Sequence, residues 1–129
     1  MELMPKYGKF EDLKKILLHK RIKTWDSEKL VLEDGTEVFV KESEYECCSS
    51  ADGEFRDVVL DAVITAVSDP LVTDIPDDDT NVNAAVVVIY HNQNIIALAD
   101  CNADAGNGGY YYSVCSLVVN DIHYKVVDA

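Results

Sequence analysis

The sequence predicts a β-dominated α+β fold: an antiparallel meander, or a rolled sheet or partial barrel, under one N-terminal amphipathic helix. Three observations carry this. Apolar residues recur at helical spacing only near the N-terminus, the period changes to two from about residue 20, and the β-rich remainder is punctuated by tight-turn dipeptides. At 129 residues the chain is expected to form one domain with a core of its own, the helix over 8–20 and the antiparallel sheet over 20–127.

In GKFEDLKKILLHK, Gly8 to Lys20, the apolar residues Phe10, Leu13, Ile16 and Leu17 fall on one helical face. Lys14, Lys15 and Lys20 lie elsewhere on the helix and toward its C-terminal end, where the helix dipole favours cations. The apolar face is expected to cover a sheet. A basic membrane-surface helix is the alternative, but the acidic body would oppose anionic lipid.

From residue 20 the pattern alternates. RIKTWDS sets Ile22, Thr24 and Asp26 against Arg21, Lys23 and Trp25. KLVLEDGTEVFVKE reads as a hairpin turning at Asp34-Gly35. DVVLDAVITAVSD, Asp57 to Asp69, is rich in β-branched residues and reads as a strand. DPLVTDIPDDDTNVN, with two prolines and an acidic run, reads as an exposed loop or sheet edge. AAVVVIYHNQNIIALADC is a second hairpin turning at His91–Asn94, its near-continuous apolar strands suited to the sheet centre. GGYYYSVCSLVV and IHYKVV supply the last two strands, joined at Asn120-Asp121.

The composition is 48% hydrophobic with a mean hydropathy of -0.05, as for a soluble globular protein, and no apolar run approaches the ~18–20 residues of a membrane span. The N-terminus has neither an apolar h-region nor a small-residue cleavage site, so a cytoplasmic location with reduced thiols is expected. The net charge of -13 is unevenly spread. Residues 1–25 hold seven basic and three acidic residues, whereas 26–83 hold three basic and seventeen acidic. A body this acidic repels phosphate, which argues against direct nucleic-acid binding. It serves either as a solubilising coat or as a surface for a basic partner.

Few residues suggest chemistry. Cys47-Cys48, in EYECCSSADGEF, lacks the C-x2–4-C spacing of a structural zinc site and the C-x-x-C spacing of a redox pair. On an extended segment adjacent side chains point to opposite sides, so one cysteine is expected to pack inward and the other to lie near the surface. Neighbouring carboxylates are expected to raise the thiol pKa values. Neither metal nor cofactor is expected, and all four cysteines should be reduced. In DCNADAGNGG, Asp100, Asn102 and Asp104 imitate the first ligands of a calcium loop, but Ala105 replaces the required glycine and Tyr111 the terminal glutamate. In GGYYYS, Tyr110 and Tyr112 would share a strand face and could stack on a base, with cross-strand packing as the plain alternative. No Gly-x-Ser-x-Gly, P-loop, dinucleotide-binding glycine pattern or His-Glu-x-x-His occurs, and catalysis is not expected.

LVLEDGTEVFV, ECCSSADGEF, DAVITAV and GGYYYSVCSLVV, spanning Leu30 to Val119, together resemble a family of small bacteriophage and prophage proteins of uncharacterised activity. The resemblance implies an accessory phage role in a bacterial cytoplasm and brings no catalytic residues; the basic helix lies outside it.

Two functions follow as expectations. The first is a non-catalytic acidic accessory protein acting on a basic host protein, as a decoy or inhibitor of a nucleic-acid-binding or defence factor. Its binding residues would be Glu42, Glu44 and Glu46, sharing strand parity, with Asp74, Asp77, Asp78 and Asp79 along one loop. The second is a small-ligand module, for a nucleotide or calcium, using Asp100, Asn102, Asp104, Tyr110 and Tyr112. Self-association into a homo-oligomer is compatible with either.

Overall fold

The computed structural model describes residues 5–73, 82–106, 109 and 111–129. Among the described residues eleven strands form two sheets around one core, and neither closes into a barrel. The six-stranded sheet contains β1 (Lys6–Tyr7), β2 (Ile22–Trp25), β3 (Lys29–Leu32), β4 (Glu37–Tyr45), β10 (Ser113–Val119) and β11 (Ile122–Asp128). Its order is β1-β11-β10-β4-β3-β2, antiparallel except for the short parallel pair β1–β11. The second sheet runs β5-β9-β8-β6, from β5 (Ser50–Arg56), β9 (Asn94–Asp104), β8 (Val82–His91) and β6 (Ala66–Val67), with β7 (Leu71–Thr73) also paired to β8.

The second sheet is a continuous insertion in the first. The chain leaves the six-stranded sheet once, from β4 to β5, and returns once, from β9 to β10, and β4 and β10 are neighbours. Both crossings therefore leave from one corner, where the Tyr112 N–H donates to Glu46 Oε1 at 2.8 Å and the Ser49 hydroxyl to the Tyr112 carbonyl at 2.7 Å.

The core lies between the sheets. Val38, Leu117 and Val119 of one face Val87, Ile89 and the small residues Ala97, Ala99, Cys101 and Ala103 of the other. The alternating small residues of β9 leave room for the second sheet to approach. Helix α1 (Phe10–Leu17) buries Leu13 and Leu17, with Phe10 and Ile16 packed half-buried at the margin. It touches β11 and β6, bridging the two sheets rather than covering the face of one. Its end precedes the expected Lys20, because Leu18 is extended and His19 takes φ +69° with its N–H on the Ile64 carbonyl.

The hairpin turns fall where turn chemistry put them. Gly35 has φ +89°, and Asn120 and Asp121 take φ +52° and +64°, the paired positive values of a two-residue hairpin loop. Residues 57–69 depart from expectation. Only β6 forms there, and Asp57 and Asp61 take positive φ. The segment's backbone groups bond elsewhere: Asp61 N–H to Ile22 O, Ile64 N–H to Lys20 O, and Val59 N–H to Ile96 O. β-Branched composition was outweighed by the need to seal the β2 edge. The proline- and acid-rich stretch contributes the edge strand β7, and the expected site residues Asp74, Asp77, Asp78 and Asp79 lie outside the described residues.

Candidate functional site

Ser50–Arg56 is a strand that hydrophobicity conceals, because its inward positions are Ala51, Gly53 and Phe55. The outward positions are Asp52, Glu54 and Arg56. In register, Asp52 lies beside Asn102, Glu54 beside Asp100, and Arg56 beside Leu98. One strand further, Asn102 pairs with Ala84, Asp100 with Val86, and Leu98 with Val88. The outer face of this sheet thus carries an acidic band on β5 and β9 beside an apolar band on β8. Asp52, Gly53, Glu54, Asp100 and Asn102 line an open depression of about 300 Å³.

Asp52, Glu54 and Asn102 are exposed. Arg56 ties Asp100 through Nε and holds Asp57 through Nη1 at 2.7 Å. Gly53 is required by close packing: a Cβ there would come within 2.5 Å of the Asp100 carbonyl oxygen and 2.7 Å of Val40 Cγ1.

Asp100, Asn102 and Asp104 therefore belong to a strand, not to a calcium loop. Alternate residues of a strand stand roughly 6–7 Å apart in a row, whereas calcium needs oxygens converging at about 2.3–2.6 Å. Among the described residues no three His, Cys, Asp or Glu side chains are grouped to hold a metal ion. Of the expected stacking pair only Tyr112 is among the described residues. Tyr112 precedes β10 and is held in the corner by Glu46, by Ser49, and by its hydroxyl donating to Asp128 Oδ2 at 3.2 Å; Tyr110 lies outside the described residues.

Glu42, Glu44 and Glu46 do not share a face. Between Cys115 and Val114 strand β10 advances one residue while β4 advances from Glu42 to Glu44, a bulge at Ser43 that breaks the parity. Glu42 Oε2 accepts the Ala51 N–H at 2.7 Å, toward the second sheet. Glu44 accepts the Tyr7 hydroxyl on the outer face, and Glu46 accepts the Tyr112 N–H. All three are occupied within the molecule.

The bulge also assembles a polar cluster that sequence reading missed. Ser43 Oγ lies 2.7 Å from both Ser116 Oγ and His123 Nδ1, and Tyr7 meets His123 edge to face at 6.1 Å. Burial, then Lys41, pushes His123 below the usual imidazole range, and burial with Glu44 pushes the Tyr7 phenol up. No sequence signal places Tyr7, Ser43, Ser116 and His123 together, because three separate strand pairings do so. Beside them Lys41 stands over the Phe39 ring at 4.8 Å.

Cys47 and Cys48 occupy the turn between β4 and β5, and both are exposed. The expected inward cysteine is absent because the segment is a turn, not an extended strand. The sulfurs lie 2.8 Å apart. Cys47 is raised, chiefly by its hydrogen bond with Cys48, whereas Cys48 is lowered by Cys47 and then by the Tyr111 hydroxyl. The sequence led to carboxylates raising both thiols; instead Cys48 is lowered, and in the rise of Cys47 the carboxylate of Glu46 contributes less than Cys48 and burial. Cys101 and Cys115 are buried, and their mutual hydrogen bond with burial pushes the Cys101 thiol far up.

Fold and face together define a two-sheet, β-dominated α+β domain with an acidic sheet surface. Residues 15–118 match the model of the family described as Domain of unknown function (DUF7448), and the chain belongs to that family. No curated protein and no solved structure matches it. No helix among the described residues is long and apolar enough to cross a membrane.

Proposed function

We propose that this protein is a non-catalytic accessory factor of phage type that acts by docking the outer face of its five-stranded sheet on a basic protein surface. The observation that supports this reading is the exposed pair Asp52 and Glu54, standing beside Asn102 and Asp100 with Arg56 as the neighbouring cation. A lysine- or arginine-rich partner would complement the acidic band, while Ala84 and Val86 beside it add apolar contact area. In sequence, the run that includes Asp74, Asp77, Asp78 and Asp79 begins one residue after β7 of this sheet. A host nucleic-acid-binding or defence protein, met in the bacterial cytoplasm, is the partner class that the charge fits.

The test uses an immobilised lysine-rich protein at low and high salt. The parent chain should be captured at low salt and released at high salt. Asp52→Asn with Glu54→Gln should weaken capture, whereas Glu11→Gln with Glu33→Gln, which removes the same charge elsewhere, should not. Equal loss in both double variants would reduce the effect to net charge and defeat the reading.

A further inference from the structure

We propose that Cys47 and Cys48 form a thiol–disulfide exchange site that a low-molecular-weight disulfide oxidises to an intramolecular bond between the adjacent residues. The geometry carries it: both side chains are exposed, their sulfurs lie 2.8 Å apart, and the turn that holds them is pinned at both ends. Glu46 N–H donates to Ser49 Oγ at 2.8 Å, and Ser49 N–H to the Glu46 carbonyl at 3.2 Å. The Cys48 carbonyl is pressed against Gly106, where a Cβ would come within 2.3 Å of its oxygen.

The two sulfurs are unequal, which sets the order of events. The contact between the sulfurs, and then Tyr111, favours the thiolate on Cys48, whereas the same contact holds the proton on Cys47. Tyr111 is pushed up to about 12 by the same sulfurs, so its hydroxyl stays protonated and able to donate. The Cys48 thiolate attacks one sulfur of the small disulfide; a mixed disulfide forms and one small thiolate departs. Cys47 then loses its proton to solvent, attacks Cys48 Sγ and expels the second small thiolate. The protein loses two electrons and two protons, and the small disulfide becomes two thiols. Cys101 and Cys115 are excluded from exchange by burial, since attack requires access.

The site lies at the corner where both inter-sheet crossings meet, so ring closure acts on the contacts from Glu46 and Ser49 to Tyr112. It does not depend on the acidic-face reading.

The test is to treat the folded, reduced chain with glutathione disulfide, then read intact mass and map the bond by peptide analysis. Loss of two hydrogens, a fall from four free thiols to two, and a Cys47–Cys48 link are expected. Cys47→Ser should stop at a glutathione adduct on Cys48, and Tyr111→Phe should slow the first step. Three outcomes would overturn the proposal: only stable adducts in the parent chain, a link between Cys101 and Cys115, or no reaction while a denatured control oxidises. Circular dichroism of each variant separates lost folding from lost exchange.

Discussion

On the outer face of the six-stranded sheet Glu44 accepts the Tyr7 hydroxyl, Ser43 joins Ser116 to His123, and Lys41 lies over Phe39. On the five-stranded sheet Asp52 and Glu54 stand exposed beside Asn102. The difference lies in the neighbours. The first sheet gives its carboxylates tyrosine and peptide donors, and all seven residues of β10 are buried although one side of the strand faces outward. The second sets Asp52 beside Asn102 and Glu54 beside Asp100, with Ala84 and Val86 one strand further, and supplies Arg56 as the adjacent cation. Acidic residues similar in sequence thus act as internal acceptors in one sheet and remain available in the other.

The comparison presupposes that the two sheets form one body, and the largest predicted effect tests this. Leu13 is fully buried in the helix that bridges β11 and β6. Leu13→Ala should cost about 2–5 kcal/mol in a denaturant titration, with one transition retained. A neutral substitution would mean that the helix does not join the sheets. Next in size is Gly53→Ala, which drives a methyl against the Asp100 carbonyl and Val40 across the core. The expected loss is about 1–3 kcal/mol, read from the same titration.

Smaller effects separate the two acidic sets directly. Glu42→Ala leaves the Ala51 N–H without its 2.7 Å acceptor and should cost about 0.5–1.5 kcal/mol. Asp52→Asn and Glu54→Gln should leave the unfolding midpoint unchanged while weakening capture by a basic surface. If Glu42→Ala proves neutral and the outer pair destabilises, the contrast between the sheets is reversed.

The smallest effect is a pH dependence confined to the covered face. Burial, then Lys41, depresses His123 in the folded state, with Asp121 and Glu44 opposing, so the unfolded chain binds the proton more readily. Stability from this residue is complete above the unfolded value of about 6.5 and falls as the pH drops from there toward the folded value. Comparing urea midpoints near pH 7.5 and about 5.5 should show this loss, and His123→Gln should reduce it. Asp34, held far below the usual carboxylate range by Lys20, keeps its contribution through this window.

Much of the fold was legible because local chemistry decides it. The i, i+3, i+6, i+7 spacing of Phe10, Leu13, Ile16 and Leu17 defined the helix, and Asp34-Gly35 and Asn120-Asp121 defined turns that need positive φ. Ser50–Arg56 was hidden because alanine and glycine hold its inward positions, and the extra residue at Ser43 reversed the assumed parity of the glutamates. Val58, Val59 and Leu60 look like strand and are not, since that chain seals the β2 edge.

The sequence by itself determined the excess of acid, which is composition, and the helix face, the principal hairpins and the β-dominated class, which rest on patterns among residues close in the chain. Tertiary structure decided the division into two sheets, the corner shared by their crossings, the exposure of both adjacent cysteines, and which carboxylates face outward. Those depend on register between distant strands. A single bulge exchanges inward and outward positions along a strand, and a residue string without its partner strand carries no record of it.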